Sequence, residues 1–221
     1  MELTQKFISE KGEFMVALSG GSTPEALYSL LAEDEFSRNI EWERIHLFWG
    51  DERCVPPSHK DSNYLMVYNS LISKVNIPKR NIHRIRGEAG EDGAAQYEME
   101  LKKIFNLQEG ITPKFDLILL GIGEDAHTAS LFPETFDYNT PAMVTSVYVK
   151  KLNAVRISLT PLVIRNAANI TVLVSGIKKA PPLAKIFDNK FFPEKYPAEI
   201  ITAAGGNVIW LIDRAAASLL K

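Results

Sequence analysis

The segment LILLGIGEDAHTASLFP, residues 117–133, decides the fold of this chain. It opens with four aliphatic residues, and such a short apolar run is typical of a strand that is buried on both faces of a parallel sheet. Glycines and acidic residues follow, then His127, and residues 128–132 are expected to begin a helix that Pro133 interrupts. A titratable cluster therefore stands where a central strand gives way to a helix, which is the edge at which open α/β sheets bind ligands.

Length, composition and charge limit the class of protein. The chain has 221 residues, 46% of them hydrophobic, which suits one domain with a substantial core. With 25 basic and 27 acidic residues the net charge is −2, so no basic excess indicates nucleic acid. Cys54 is the single cysteine, and no apolar run approaches the length of a transmembrane helix. The N-terminus is too polar for a signal peptide, so we expect a cytoplasmic protein that binds neither nucleic acid nor a membrane.

Six further apolar segments alternate with segments of helical spacing. The predicted strands are residues 14–18, 45–49, 143–149, 154–159, 170–174 and 208–212. This alternation predicts an α/β fold, with a mostly parallel, Rossmann-like sheet covered by helices on both faces. We expect the three layers to form one domain of residues 1–221, in which the polar strand ends share one edge.

A glycine-rich turn after the first strand is a candidate anion site. Residues 19–23 read SGGST, and Pro24 suits the first turn of the helix that follows. Free backbone N–H groups and the helix dipole attract an anion there, and the glycines let it approach closely. An ordinary turn with a Ser or Thr cap explains the segment equally well. It is not a P-loop, because the G-x-x-x-x-G-K-[ST] pattern is absent.

Other strand ends carry charges whose interpretation stays open. Asp-Glu-Arg at 51–53 could bind a polar ligand, although a solvated loop or an internal ion pair is the better explanation of that segment alone. Arg156 interrupts an apolar pattern, and spacing alone predicts an edge-strand arginine facing water. Lys179 opens a helix, where it can meet a phosphate or remain exposed.

The other three histidines show no sign of chemistry. His46 lies within a strand pattern and is expected to be structural, whereas His59 lies in a polar loop and is expected to be exposed. His83 is followed closely by Arg84 and Arg86, and we expect all three at the surface.

Five stretches together resemble one known family. They are LSGGSTP at 18–24, WGDER at 49–53 with DSN at 61–63, LLGIGEDAHTASLFP at 119–133, RISLT at 156–160 and VSGIKKA at 174–180. In the expected order, and over nearly the whole chain, they resemble the 6-phosphogluconolactonases, within the wider family that includes glucosamine-6-phosphate deaminases. The resemblance implies hydrolysis of 6-phospho-D-glucono-1,5-lactone, a small phosphosugar, to 6-phosphogluconate in the oxidative pentose phosphate pathway, without a metal or other cofactor. The oligomeric state stays open between a monomer and a small homo-oligomer.

Carried over position by position, the resemblance implies roles for eight residues. His127 corresponds to the general base and Asp125 to its close partner in the same loop. Arg53 corresponds to a lactonase-specific arginine near the sugar. The remaining positions correspond to phosphate contacts, and they are Gly21, Ser22, Thr23, Arg156 and Lys179.

These roles agree with the chemistry that the residues allow. A lactone is an ester, so water attacks its carbonyl and an oxyanion develops. A histidine can take the proton of the water near neutral pH, and Asp125 can orient the imidazole. Either Arg53 or a backbone N–H of the glycine turn could stabilise the oxyanion, and the sequence does not choose between them.

Two other functions remain compatible with the fold. The deaminases have a loop that reads like DGHIAFNEP, with a glutamate that assists the histidine. Phe132 stands at the position of that glutamate and Arg53 at that of a deaminase tyrosine, and both differences favour the lactonase. A non-catalytic sensor of sugar phosphates is the other alternative, against which the retained Asp125 and His127 argue.

The chain departs from the family pattern in two places. Ala126 stands where the family usually has glycine, and alanine with a positive φ would cost on the order of 1–2 kcal/mol. We therefore predict a negative φ at Ala126. Family members also commonly carry a strand and a helix before the first strand of this chain, so we expect that it lacks an edge strand or is a truncated form.

Overall fold

The computed structural model describes residues 1–188 and 191–220. Strands are found at β1 (Phe14–Leu18), β2 (Ile45–Trp49), β3 (Asp51–Arg53), β4 (Ile82–His83), β5 (Leu117–Leu120), β6 (Val144–Val149), β7 (Ala154–Leu159), β8 (Asn169–Val174) and β9 (Asn207–Ile212). Helices are found at α1 (Glu2–Lys11), α2 (Ser22–Leu31), α3 (Asp34–Ser37), α4 (Asn63–Ser70), α5 (Asp92–Ile104), α6 (Pro161–Arg165) and α7 (Ala180–Ile186). None of the helices in these ranges combines the length and apolar character needed to cross a bilayer.

The central sheet is parallel, as the apolar runs predicted. Its six strands lie in the order β4-β2-β1-β5-β8-β9, and helices flank them. All five residues of β1 are buried, and Phe48 and Ile118 on neighbouring strands are fully buried. Burial of a large side chain such as Phe48 or Ile118 stabilises the fold by roughly 1.5–3 kcal/mol through removal of apolar surface from water. The α/β fold with a mostly parallel sheet is therefore confirmed.

A second sheet is antiparallel, which the sequence did not indicate. It has the order β3-β7-β6. Residues 51–53, read as a loop or an ion pair, form one of its strands. The expectation that Arg156 lies on an edge strand is wrong, because Arg156 belongs to the middle strand. Apolar spacing marks a strand but does not show which sheet it joins, and this sheet brings Arg156 against the ends of the parallel strands.

Two buried tyrosines fix the ends of the parallel strands β1 and β2. The Tyr28 hydroxyl accepts from Ser19 N and donates to Ser19 O, both at 3.0 Å. The Tyr97 hydroxyl does the same for Trp49, at 2.9 Å and 3.1 Å. Burial raises the pKa of both phenols, so they stay protonated and can donate. Each tyrosine therefore satisfies both backbone groups of one residue at the edge where the polar loops begin.

Residues 128–132 do not form the expected helix. Leu131 N donates to Thr128 O at 2.9 Å in a tight turn, and Ala129 has a φ of +47°. The Ser130 side chain donates to Asp51 Oδ2 at 2.6 Å. A helix is interrupted here because the backbone enters the left-handed region and the polar side chains bind the second sheet.

His83 is buried, so its expected place at the surface is wrong. Its Nε2 lies 3.0 Å from His46 Nδ1, and its Nδ1 lies 3.1 Å from Glu100 Oε1. The rings of His46 and His83 stack with centroids 5.3 Å apart. Arg84 is half-buried, and Arg86 is exposed as expected. The structural role expected for His46 is confirmed by this stack.

The stacked histidines make stability depend on pH. Burial, and then the charge of His83, lowers the pKa of His46 below its ordinary value. Below about pH 6.5 the unfolded chain then binds more protons than the folded chain, so the free energy of unfolding is expected to fall by up to about 1.4 kcal/mol per pH unit. The variant His46→Phe keeps a ring against His83 and should show a flatter dependence in urea unfolding between about pH 7.5 and about pH 5.5.

The matched control is His59→Gln, which removes an exposed histidine and should keep the wild-type pH dependence. An unchanged slope in His46→Phe would show that His46 is not its source.

Candidate active site

A cavity of about 350 Å³ opens at the carboxyl edge of the parallel sheet. Three of its walls are formed by the loops that follow β1, β5 and β8, and a fourth is formed by β3 and β7 of the second sheet. The lining residues include Gly20, Gly21, Asp51, Arg53, Gly121, Gly123, His127, Phe132, Lys151, Arg156 and Lys179. Loops that are far apart in the sequence therefore meet at one edge, as parallel strands require.

The loop after β5 folds back on itself to present His127. Gly123 N donates to His127 O at 2.8 Å, and Ala126 N donates to Gly123 O at 3.1 Å. A Cβ on Gly123 would lie 2.0 Å from His127 Nδ1. Only glycine fits against the imidazole at this point, so the glycine at position 123 serves the placement of the histidine.

Asp125 and His127 form a close pair. Asp125 Oδ1 lies 2.5 Å from His127 Nδ1. A carboxylate can only accept, so Nδ1 carries the proton and Nε2 keeps its lone pair for a ligand in the cavity. The ring of Phe132 packs on the imidazole with centroids 4.1 Å apart, which limits its rotation.

A third side chain, Lys151, joins this pair. It lies in the 3₁₀ turn Lys150–Leu152 between β6 and β7, and its Nζ is paired with Asp125 Oδ2. Burial alone would raise the pKa of Asp125, but the hydrogen bonds from His127 and Lys151 outweigh it and hold that pKa well below its usual range. Asp125 is therefore ionised at neutral pH, with a different partner on each oxygen.

Two arginines face each other across the second sheet. Arg53 and Arg156 are direct partners in the β3–β7 register. Burial, and then the charge of Arg53, lowers the pKa of Arg156, but a guanidinium stays protonated at neutral pH. Arg156 Nε is buried and has no hydrogen-bond partner among the described residues. Like charges placed directly opposite are destabilising, so this pair is suited to an anion between or beside the two side chains.

The glycine turn after β1 forms another part of the cavity wall. Gly20 packs against Asn63, whose Oδ1 would lie 1.9 Å from an added Cβ. Gly21 has a φ of +104° and precedes α2, whose first N–H groups have no partner within the helix. Gly20 and Gly21 line the cavity, whereas Ser22 and Thr23, the first residues of α2, do not line it.

A buried carboxylate fixes the strand that carries Arg53. Glu52 accepts from the backbone N–H groups of Arg53 at 2.8 Å, of Asn63 at 2.7 Å and of Tyr64 at 2.8 Å, and from the Ser62 hydroxyl at 3.1 Å. Burial raises the pKa of Glu52 despite these donors. Ser62 caps α4 by accepting from Leu65 N at 3.2 Å, and the segment at 61–63 also holds β3 in place through the Glu52 carboxylate.

Most of the chain matches one family model. The model describes glucosamine-6-phosphate isomerases and 6-phosphogluconolactonase, and it matches residues 1–210. The chain belongs to this family.

Relatives and solved structures in the isomerase/lactonase family agree with this match. A 6-phosphogluconolactonase from Nostoc is 40% identical over 97% of this chain and 88% of its own length. One from Haemophilus influenzae is 39% identical over 93% of this chain and 87% of its own length. The structure of 6-phosphogluconolactonase from Trypanosoma cruzi is similar with a TM-score of 0.88 and 28% identity, covering 100% of this chain and 89% of that chain.

The structure brings together most of the residues that the family resemblance singled out. Those that line the cavity are Gly21, Arg53, His127, Arg156 and Lys179, and Asp125 lies directly behind His127. Two charged cavity residues, Asp51 and Lys151, were assigned no role from the family resemblance. Asp51 stands within the WGDER stretch, which could have indicated it. Lys151 lies in a hairpin turn with no motif, so no signal in the sequence marked it.

The predicted negative φ at Ala126 is wrong. Its φ is +62°, which fits the glycine that family members usually have there. The turn requires this conformation because Ala126 N donates to Gly123 O while Ala126 O accepts from Ala198 N at 2.9 Å. The methyl group of Ala126 is buried, and the surrounding structure holds the residue in this strained left-handed conformation.

The strain at Ala126 predicts that Ala126→Gly stabilises the protein. Removal of the Cβ should relieve up to about 1 kcal/mol, which raises the Tm by about 2–4 °C in a protein of this size. Differential scanning calorimetry measures the change. The matched control is Ala180→Gly, since Ala180 is equally buried with a φ of −62° and should lose about 0.5–1 kcal/mol. An equal loss of thermal stability in both variants would contradict backbone strain at Ala126.

Proposed function

We propose that this protein hydrolyses 6-phospho-D-glucono-1,5-lactone to 6-phosphogluconate, the reaction for which its relatives in Nostoc and Haemophilus influenzae are named. One observation carries the proposal. The Asp125–His127 pair and three cations, Arg53, Arg156 and Lys179, line or adjoin the same cavity. A base and an anion site within one small cavity suit an ester that carries a phosphate.

His127 acts as the general base in this proposal. Its Nδ1 donates to Asp125 Oδ1 across 2.5 Å, which leaves Nε2 free to take a proton from the attacking water. The imidazolium that forms is stabilised by the ionised Asp125, as in a Ser-His-Asp triad. No side-chain nucleophile is needed, because the lactone carbonyl is attacked by water directly.

Arg53 is the proposed partner of the sugar and of the oxyanion. Its NH1 donates to Asp61 O at 2.5 Å, which holds the side chain in place at the cavity wall. A fixed cation near the carbonyl oxygen stabilises the charge that develops as water adds. The ring oxygen then leaves as a hydroxyl group, with His127 returning the proton.

The phosphate is held by the other two cations and the glycine turn. Arg156 offers the unpartnered Nε, and Lys179 lies at the end of the 3₁₀ turn Ile177–Lys179. The backbone at Gly21, Ser22 and Thr23 adds N–H groups from the start of α2. A phosphate bound at this end positions the lactone ring against His127. The binding energy of the phosphate then compensates the translational and rotational entropy that is lost when the lactone and the base are brought together.

Several broader statements belong to the same proposal. We propose that residues 1–221 act as one domain, in the cytoplasm, as a monomer or a small homo-oligomer that binds no nucleic acid. The main apolar core takes buried residues from both sheets, which supports the single domain, and Phe132, Val147 and Val149 form a small separate cluster. The described residues contain no group of three or more His, Cys, Asp and Glu side chains placed to hold a metal. The proposed reaction requires none, since His127 activates the water.

Replacement of His127 by glutamine should abolish most of the activity. We expect kcat for 6-phosphogluconolactone to fall by about 10²- to 10⁴-fold, since general-base assistance is lost. A pH-stat assay measures acid release after subtraction of the spontaneous rate. His59→Gln is the control and should retain wild-type kcat. Full activity in His127→Gln would contradict the role, and absence of acceleration by the wild type would contradict the proposed reaction.

Two further measurements separate the alternatives. Ammonia release from glucosamine 6-phosphate would indicate a deaminase. Tight binding of 6-phosphogluconate in calorimetry, without any turnover of the lactone, would indicate a sensor.

Two neighbouring glycines provide a geometric test of the base. Alanine at Gly123 would place its Cβ 2.0 Å from His127 Nδ1 and 2.7 Å from Asp125 Oδ1, whereas alanine at Gly121 would meet Leu173 O at an ordinary 3.7 Å. Neither glycine has a positive φ, so the added methyl group is the main change. We expect Gly123→Ala to lower kcat by on the order of 10²-fold through displacement of the imidazole. Gly121→Ala should stay close to wild type, and equal kcat in the two variants would contradict this geometry.

A further inference from the structure

Lys151 reaches the base from a different sheet. It is carried by the turn between β6 and β7, whereas Asp125 and His127 lie in the loop after β5. Its Nζ pairs with Asp125 Oδ2 and lies 4.6 Å from the centroid of the Phe132 ring. Phe132 in turn packs on the imidazole of His127. The lysine therefore contacts both groups that hold the imidazole in place.

We infer that Lys151 is a positioning residue for the proposed hydrolysis, because it holds the Asp125 carboxylate against His127 and limits the negative charge that the imidazole experiences. The inference rests on the proposed function, in which His127 must be neutral to accept a proton. It assigns Lys151 no direct contact with the substrate.

The argument depends on how the carboxylate is shared. Oδ1 of Asp125 accepts from His127 and Oδ2 is paired with Lys151, so one negative charge is shared between the imidazole N–H and the ammonium group. Without the lysine, the whole charge would favour the imidazolium, and His127 would stay protonated to a higher pH. Lys151 is 51% exposed, so solvent screens part of its effect.

Other charged groups surround the cluster without contacting the carboxylate. Glu124 in the same loop is paired with Lys178 at 3.6 Å, and the buried Glu199 lies in the 3₁₀ segment Pro197–Ala203 beneath the loop. The remaining charged groups line the cavity, and they are Asp51, Arg53, Arg156 and Lys179. Within residues 1–188 and 191–220, His127 and Lys151 are the side chains that bind Asp125.

The test uses Lys151→Met with two companions. Lys151→Arg keeps a cation of similar reach. Lys150→Met removes the same charge from the same turn at a neighbouring exposed residue. The imidazole proton resonances of His127, assigned by their loss in His127→Gln, are followed by NMR against pH in each variant. The other three histidines report whether each variant is folded.

We expect the titration midpoint of His127 to rise by about half to one pH unit in Lys151→Met and to stay at the wild-type value in Lys151→Arg and Lys150→Met. The acidic side of the pH–rate profile of Lys151→Met should shift to higher pH by the same amount. At a given pH on that side, the rate of hydrolysis should therefore be about 3- to 10-fold lower than in the wild type. An unchanged midpoint in Lys151→Met, or an equal shift in Lys150→Met or Lys151→Arg, would overturn the inference even if the rate falls. Failure of the wild type to hydrolyse the lactone would refute the proposed function, and the NMR titration would still decide the role of Lys151.

Discussion

Gly50 carries the two hydrogen bonds that join the parallel sheet to the antiparallel one. Its N–H donates to Leu18 O, and its carbonyl accepts from Leu159 N, both at 2.8 Å. These bonds set the end of β1 beside the end of β7, although some 140 residues separate the two strands. The cavity exists because this junction turns β3 and β7 across the edge where the parallel strands end. Because of this geometry, Arg53 and Arg156 line one cavity together with the glycine turn and the histidine loop.

The sequence predicted the parts of the fold that depend on local pattern. Short apolar runs such as Leu117–Leu120 identify strands buried on both faces, and their alternation with helices predicts a parallel sheet. The motif resemblance also identified the histidine loop and most of the cations around it. Spacing alone placed Arg156 at an edge facing water, because periodicity does not show when a strand leaves one sheet for another. The place of His83 was missed for a related reason, since its burial depends on a partner 37 residues away.

The errors at the histidine loop have a common physical origin. Residues 128–132 have a helical composition and Ala126 has no obvious need for a left-handed backbone, so local preference favours ordinary conformations. The loop instead satisfies its polar groups across the cavity, where Ser130 binds Asp51. Long-range hydrogen bonds outweigh a local preference worth on the order of 1 kcal/mol per residue. Departures from local rules are expected where function requires a fixed arrangement.

The hydrogen bond from Ala198 N to Ala126 O links the histidine loop to a distant part of the chain. The 3₁₀ segment that contains Ala198 follows α7, and it lies beneath the loop rather than in the cavity. Any local opening of that segment would release the Ala126 carbonyl and allow the strained peptide to rotate. The mobility of the imidazole is therefore coupled to a 3₁₀ segment that does not line the cavity. Heating that loosens this distant segment would therefore release the imidazole before it unfolds the sheet.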